Sequence, residues 1–214
     1  MARSIDAVLF DFGGVFTGSP FHASTDLGGE LGARPGQLEE IMFGPYHEDT
    51  DHTWHRLERG EITLAAAREE IMAEGARQGL VFEPIEILGR LAGGREGVRT
   101  ALVDRVRELR QEGYRTALVT NNVAEFRSTW HSMIPVGEIF DVVVDSSEVG
   151  VRKPDPAIYR LTLERLGNVP PEQSVFLDDY ESNVKAATDL GIHGLLVDDD
   201  CVSTIAALDR FLAA

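Results

Sequence analysis

The chain has 214 residues, a formal net charge of −16 and 43% hydrophobic residues, which is enough to bury the core of one large domain, with or without a smaller one. A surface this acidic repels nucleic acid phosphates and anionic lipid head groups, so we expect neither a nucleic acid nor a membrane as a partner. The first residues are typical of neither a signal peptide nor a membrane span, and Cys201 is the single cysteine, so we expect a cytoplasmic protein.

Five short segments are typical of buried strands, because they are apolar or β-branched and bounded by turn residues. They lie at 5–10, 115–119, 141–145, 174–177 and 192–197. Helical patterns lie before the second strand at 96–112 and after the later strands at 155–167, 181–190 and 202–213. This alternation predicts an α/β fold whose core is a doubly wound parallel (Rossmann-like) sheet.

The helix predicted over 96–112 carries an apolar stripe that includes Leu102, Val106 and Leu109. Arg99 falls off this stripe together with three other arginines. We expect these arginines to form a solvated helix face.

One interval breaks the alternation, since no convincing strand lies between about residues 18 and 94. Helical patterns occupy 35–43, 51–59 and 63–78 of this interval. We therefore expect an α/β core domain made of 1–17 and 95–214, with 18–94 inserted as a small helical domain.

Polar side chains follow four of the predicted strands at the point where each strand ends. They are Asp11, the pair Thr120 and Asn121, then Lys153, and the pair Asp178 and Asp179. A lone aspartate after a strand is usually a turn or capping residue. Because the carboxyl ends of parallel strands share one edge of a sheet, we expect all four sites to converge there.

Carboxylates brought together in this way repel one another, and a divalent cation would offset the repulsion. Oxygen ligands suit Mg²⁺. A carboxylate nucleophile can attack phosphorus and form an aspartyl phosphate that water then hydrolyses. Lys153 would neutralise the nucleophile and the transferring phosphoryl group, while Thr120 and Asn121 offer hydrogen bonds to its oxygens.

The order of these motifs resembles that of the haloacid dehalogenase superfamily. The resemblance covers about 5–20 and 96–200, with DFGGV after the first strand, a threonine after ALV, RKPDP, and an acidic pair after VFL. It implies Asp11 as nucleophile and metal ligand, the Gly13 carbonyl as another ligand, and Asp178 and Asp179 as completing a Mg²⁺ site. The inserted helical domain is similar to the cap of C1 members.

Within the superfamily, DFGGV, ERGEIT and RKPDPAIY resemble the branch related to the phosphatase domain of epoxide hydrolases and to bacterial sugar-phosphate phosphatases. This resemblance implies a magnesium-dependent phosphatase acting on a small phosphorylated metabolite, such as a sugar phosphate, through an aspartyl phosphate. We expect a monomer or a homodimer.

Gly13 departs from the family pattern, because typical phosphatases have a second aspartate there as general acid and base. General acid catalysis contributes about 10²–10⁴-fold, so alkyl phosphates should turn over weakly unless another group supplies the proton. His22, His47 and His55 of the predicted cap are candidates, although each also fits an ordinary surface or core position.

The predicted cap offers further candidates for substrate selection. In similar caps the loop that carries Gly60 and Glu61, here preceded by Arg59, faces the active site, but it also fits a plain turn between helices. Tyr46 and Trp54 fit the core of the cap or a platform for the substrate.

Three other functions use related residues. A receiver domain has the same residue types, but its acidic pair comes first in the chain. A catalytically weak or silent binding or regulatory module would explain Gly13. A carbon–halogen hydrolase is the third, but the classical enzymes need no metal and usually carry Ser and Asn where this chain has its acidic pair.

Overall fold

The computed structural model describes residues 4–18, 24–93 and 97–213. Its five strands are β1 (Ala7–Phe10), β2 (Arg115–Thr120), β3 (Val142–Asp145), β4 (Ser174–Asp178) and β5 (His193–Leu196). Neighbouring strands pair in parallel, in the order β3-β2-β1-β4-β5. The predicted doubly wound α/β sheet is therefore confirmed, with strand ends within a few residues of the expected ones.

The helices of the described ranges surround this sheet or form the insertion between β1 and β2. In chain order they are α1 (Ser24–Glu30), α2 (Gln37–Phe43), α3 (Thr53–Glu58), α4 (Leu64–Arg77), α5 (Pro84–Gly93), α6 (Thr100–Gln111), α7 (Arg127–Met133), α8 (Val136–Ile139), α9 (Ser146–Val149), α10 (Pro156–Arg165), α11 (Glu181–Asp189) and α12 (Cys201–Leu212), with 3-10 helices at Ala124–Phe126 and Pro171–Gln173. None of these helices is both long and apolar enough to cross a membrane.

Sequence patterns did not predict five of these helices, for two physical reasons. The helices α7, α8 and α9 are too short to show a period of 3.6 residues. The helices α1 and α5 each contain two glycines, which disfavour a helix relative to alanine.

Side chains along β1 alternate between two hydrophobic clusters, which explains why the strand is apolar throughout. Val8 and Phe10 belong to the cluster that includes residues of α6 and α12. Ala7 and Leu9 belong to the cluster on the other face, with residues of α10 and α11. A parallel strand covered on both faces is typically a nearly continuous apolar run.

The insertion has a hydrophobic cluster of its own. Leu38 of α2, Leu57 of α3, Ile71 of α4 and Ile87 of α5 are buried in it, and Val123, from the segment after β2, packs against them. This separate cluster supports the proposed division into a core domain and a cap domain, with Val123 as one point of contact between them.

A buried ion pair joins the two parts. Arg152 Nε donates to Glu58 Oε2 over 2.7 Å, and the two side chains are 0% and 3% exposed. The other oxygen, Glu58 Oε1, accepts hydrogen bonds from Trp54 Nε1 at 2.9 Å and from the Tyr46 hydroxyl at 3.0 Å. The guanidinium also lies 4.9 Å from the centre of the Tyr46 ring. Both oxygens of Glu58 and two of the three guanidinium nitrogens of Arg152 are thus hydrogen-bonded, while Arg152 Nη2 is buried without a hydrogen-bond partner.

We expect Glu58→Ala to lower the free energy of unfolding by about 3–5 kcal/mol, since it leaves Arg152 buried without its main carboxylate. Asp49, 3.6 Å from the guanidinium, is the remaining carboxylate nearby. Urea denaturation at neutral pH measures the change. Glu61→Ala, a cap substitution at an exposed glutamate, is the control and should cost at most about 1 kcal/mol. Equal losses in both variants would contradict a stabilising role for the pair.

Candidate active site

Three carboxylates meet at the carboxyl edge of the sheet. Asp11 follows β1 and Asp178 ends β4, and these strands are neighbours in register, with Phe10 opposite Leu177. Asp179 follows at once, and the three side chains can present one oxygen each within 4.8 Å of one another. The structure thus brings together the acidic residues that the sequence placed at separate strand ends.

Lys153 lies among these carboxylates. Its Nζ atom is 2.7 Å from Asp11 Oδ1 and 2.7 Å from Asp178 Oδ2, and its side chain is 1% exposed. Asn121 holds the backbone of this lysine, since its Oδ1 accepts from Lys153 N at 2.7 Å and its Nδ2 donates to Lys153 O at 2.9 Å. Asn121 therefore positions Lys153, and its contact with a substrate stays a prediction. Thr120, 2% exposed, lies at the end of β2 beside them.

The two adjacent aspartates have different surroundings. Asp178 is fully buried, and its oxygens accept from Lys153, from Tyr180 N at 2.8 Å and from Asn183 Nδ2 at 3.1 Å. Asp179 is half-buried and lines a cavity. The first carboxylate organises the lysine and the start of α11, while the second faces the cavity.

The loop after β1 packs tightly on Asp179. Gly14 has a φ of +76°, and a Cβ atom there would lie 2.1 Å from Asp179 Cγ, so only glycine fits. Arg99 clamps the same loop by donating to Gly14 O at 2.8 Å and to Asp199 Oδ1 at 2.9 Å. The expectation of a solvated face was wrong for Arg99, which is 8% exposed, because it caps the start of α6 and lies against this loop.

The electrostatics of the cluster leave negative charge in excess. Burial, with Asp178 and Asp179 nearby, raises the pKa of Asp11 to about 8, although Lys153 acts to lower it. Burial lowers the pKa of Lys153, but Asp11 and Asp178 outweigh this and raise it overall. One ammonium does not offset three carboxylates, so a hard divalent cation such as Mg²⁺ fits this set of oxygen donors.

A cavity of about 630 Å³ opens from the acidic cluster and extends between the core and the insertion. Asp11, Gly13, Thr120, Lys153 and Asp179 line its polar end. The volume lies in the range that small-molecule sites occupy. The predicted catalytic residues thus line a partly open cavity with room for a phosphorylated molecule.

The proposed histidine proton donors do not line the cavity in the described ranges. His55 is fully buried, and burial, with Arg152 nearby, lowers its pKa to about 3, so it is neutral at neutral pH. His47 is exposed. His22 lies outside the described residues. For His55 the burial and the lowered pKa argue against the proton-donor role and for a core position.

The Gly60 loop has a different position from the one expected of it. Gly60 has a φ of +69°, and a Cβ atom there would lie 2.3 Å from the carbonyl oxygen of Ser147 in α9. Arg59 pairs with Glu61 at 2.6 Å and with Asp49. Neither Gly60 nor Glu61 is among the described residues that line the cavity. The loop instead docks the insertion on the core.

Sequence analysis missed several residues of the cavity wall. Glu58 lines it one helical turn beyond Trp54, and Phe12 and Trp130 form an aromatic wall with ring centres 5.3 Å apart. The spacing of Trp54 and Glu58 on α3 was the available signal, since residues four apart share a helix face. Tyr46 and Trp54 line the cavity, Trp54 belongs to the hydrophobic cluster of the insertion, and Tyr46 packs against that cluster.

Comparison with known proteins agrees with this geometry. Residues 5–191 match the family model of the haloacid dehalogenase-like hydrolases. Protein CbbY of Cereibacter sphaeroides is 36% identical over 205 residues, covering 88% of this chain and 82% of that protein. Sesquiterpene phosphatase astK of Aspergillus oryzae is 28% identical over 200 residues, covering 93% of each chain.

Other relatives are much longer than this chain. Rat bifunctional epoxide hydrolase 2 is 30% identical over 167 residues, which are 72% of this chain, and the chain spans only 30% of that protein. Among solved structures, a haloacid dehalogenase family enzyme of Bacteroides thetaiotaomicron, in complex with magnesium and inorganic phosphate, superimposes with a TM-score of 0.68 at 24% identity. That match covers 94% of this chain and 98% of the other, and it shows a shared fold.

In the metal-free protein, we expect Asp11→Asn to raise the free energy of unfolding by an amount that grows from about pH 4 to about pH 8. The folded-state pKa of Asp11, about 8, lies above its ordinary value of 3.8. Between these two values the unfolded chain releases the Asp11 proton while the folded protein keeps it, so the folded state loses stability as the pH rises.

Urea denaturation with a chelator present, at about pH 5 and about pH 8, measures the effect. Asp51→Asn is the control, because that side chain is 99% exposed, and its effect should not depend on pH in this way. An Asp11→Asn gain of equal size at both pH values would contradict the raised pKa.

Proposed function

The chain belongs to the haloacid dehalogenase-like hydrolases, and on that basis we propose that it is a magnesium-dependent phosphatase with Asp11 as its nucleophile. The observation that carries the proposal is the contact of one buried lysine, Lys153, with Asp11 and Asp178 at 2.7 Å each, beside a cavity of ligand size. The reaction class is supported by a relative that is named a phosphatase and that matches this chain over 93% of its length. The substrate is a phosphate monoester small enough for this cavity.

In this mechanism an Asp11 carboxylate oxygen attacks phosphorus, the bond from phosphorus to the leaving oxygen breaks, and an aspartyl phosphate forms. Water then attacks the phosphorus, which releases inorganic phosphate and regenerates the Asp11 carboxylate. Lys153 offsets the charge of both the nucleophile and the phosphoryl group. The hydroxyl of Thr120, at the polar end of the cavity, donates a hydrogen bond to a phosphoryl oxygen.

Asp11, the carbonyl of Gly13 and Asp179 would hold the Mg²⁺ ion, with Asp178 as a positioning residue behind them. When bound, the cation supplies positive charge that reduces repulsion between the carboxylate and the phosphate. The surroundings of the two residues favour Asp179 over Asp178 as the direct ligand. Asp179 lines the cavity, whereas both oxygens of Asp178 accept hydrogen bonds from other residues of the protein. The raised pKa of Asp11 supports the need for a cation, because a protonated carboxyl is a poor nucleophile.

Gly13 has no side chain that could donate a proton to the leaving oxygen. Of the nearby ionisable groups in the described cavity wall, Glu58 is paired with Arg152, and burial raises the pKa of Tyr46 well above its usual value. The favoured substrates are therefore those whose leaving group departs without protonation.

We expect Asp11→Asn to lower kcat for p-nitrophenyl phosphate with Mg²⁺ by at least about 10⁴-fold, because the amide cannot act as the nucleophile. A phosphate-release assay measures this. Asp51→Asn serves as the control and should keep wild-type kcat, since Asp51 lies outside the described cavity wall. Hydrolysis by Asp11→Asn at the wild-type rate would rule out the mechanism.

The same assay distinguishes the two alternative functions. If the wild-type protein released no phosphate with Mg²⁺ present, a silent binding or regulatory module would replace the phosphatase. If a chelator left activity unchanged and halide were released from a haloacid, the carbon–halogen hydrolase would replace it.

We expect Gly13→Asp to raise kcat for ethyl phosphate relative to p-nitrophenyl phosphate by roughly 10²-fold, because it adds a general acid beside the leaving oxygen. The substitution fits sterically, since a Cβ atom on Gly13 meets no atom within 4 Å. Gly13→Asn is the matched control, as it has nearly the same size and cannot transfer the proton. If the ratio of kcat for ethyl phosphate to kcat for p-nitrophenyl phosphate were equal in both variants, position 13 would not be where the general acid is missing.

A further inference from the structure

The cavity has a small polar end and a large apolar body. Phe12, Trp130 and Met133 line the body from the core side, and Ile85, Leu88 and Leu91 line it from α5 of the cap. The apolar wall begins next to the nucleophile, because Phe12 is the residue after Asp11. Whatever group the phosphate is attached to must therefore contact apolar side chains.

Two of these six apolar side chains belong to neither hydrophobic cluster. Ile85 remains 39% exposed and Met133 37% exposed. The two residues line opposite sides of the cavity. Apolar surface left open in a concave site is typical of a surface that a ligand covers. The cavity therefore offers hydrophobic contact on two facing walls.

Polar side chains in the described cavity wall are largely committed to other protein groups. Glu58 binds Arg152 and accepts from Tyr46. Asn121 holds the backbone of Lys153, and Asn122 Oδ1 accepts from Val123 N at 2.9 Å. A site that selects a polyol needs hydrogen-bonding groups reserved for its hydroxyls. The wall provides few of these beyond the phosphate end.

We propose that the substrate is a phosphate carried by an extended apolar group, such as an alkyl-substituted aryl group, and that this group fills the space between α5 and the Phe12–Trp130 wall. The inference rests on the proposed phosphatase function. It deepens that function by naming the substrate class and favours an apolar group over a sugar.

The test is a series of 4-alkylphenyl phosphates with Mg²⁺, assayed below their micelle concentrations. The leaving group is a phenol throughout, so its acidity stays nearly constant while the length of the alkyl chain grows. We expect kcat/KM to rise about three- to fourfold per added methylene until the cavity is full. Glucose 1-phosphate, a polar comparison substrate, should have a lower kcat/KM than every member with a propyl or longer chain.

Two variants locate the effect in the cavity. The double variant Ile85→Gln, Met133→Gln should reduce the rise per methylene, because it makes both facing walls polar. Gly89→Leu should lower the chain length at which the rise stops. Gly89 lines the cavity and a Cβ atom there meets no atom within 4 Å, so a leucine side chain would occupy that space. Val81→Gln is the matched control, since Val81 is 84% exposed in the cap but outside the described cavity wall, and its slope should match the wild type.

The outcomes separate the inference from the function on which it rests. Mg²⁺-dependent hydrolysis with a flat dependence on chain length, or with glucose 1-phosphate preferred, would overturn the apolar substrate and leave the phosphatase intact. Hydrolysis of none of these compounds would overturn the phosphatase.

In that case calorimetric titration of n-alkylphosphonates with Mg²⁺ decides the inference by itself. An affinity that rises with chain length supports an apolar ligand, and an affinity independent of chain length overturns it.

Discussion

A buried lysine held between two buried carboxylates is the constraint on which the rest of the structure depends. Lys153 can stay charged at 1% exposure only because Asp11 and Asp178 contact it. These carboxylates meet because β1 and β4 are parallel neighbours in register and end at one edge. A shift of one residue in that register would turn one of the two side chains to the opposite face of the sheet.

The preceding residue extends this arrangement to the cap. Arg152 forms a fully buried pair with Glu58 of α3, while Lys153 contacts the nucleophile. Two consecutive cations thus tie the helical insertion and the catalytic edge to the same short segment. Since Asn121 fixes the backbone of that segment through two hydrogen bonds, the cavity between cap and core has a defined shape and a defined polar end.

The two ends of the cavity select different parts of the substrate, one by charge and the other by apolar contact. The net charge of −16 repels anions overall, so the phosphate end depends on Lys153 and on a cation held by the acidic cluster. Beyond that end, Phe12, Trp130 and α5 present an apolar surface to the part of the substrate that carries the phosphate. The absence of an acid at Gly13 then favours leaving groups that depart unprotonated.

The sequence by itself determined the sheet, most long helices and the polar residues at the strand ends, because hydrophobic periodicity and turn chemistry are local properties. It did not reveal the Glu58–Arg152 pair, whose members lie 94 positions apart, and it wrongly assigned Arg99 to a solvated face. Whether a charged side chain is buried depends on which distant segment lies opposite it. The apolar body of the cavity was decided in the same way, since Phe12, Trp130 and α5 face one another only after the insertion folds back over the core.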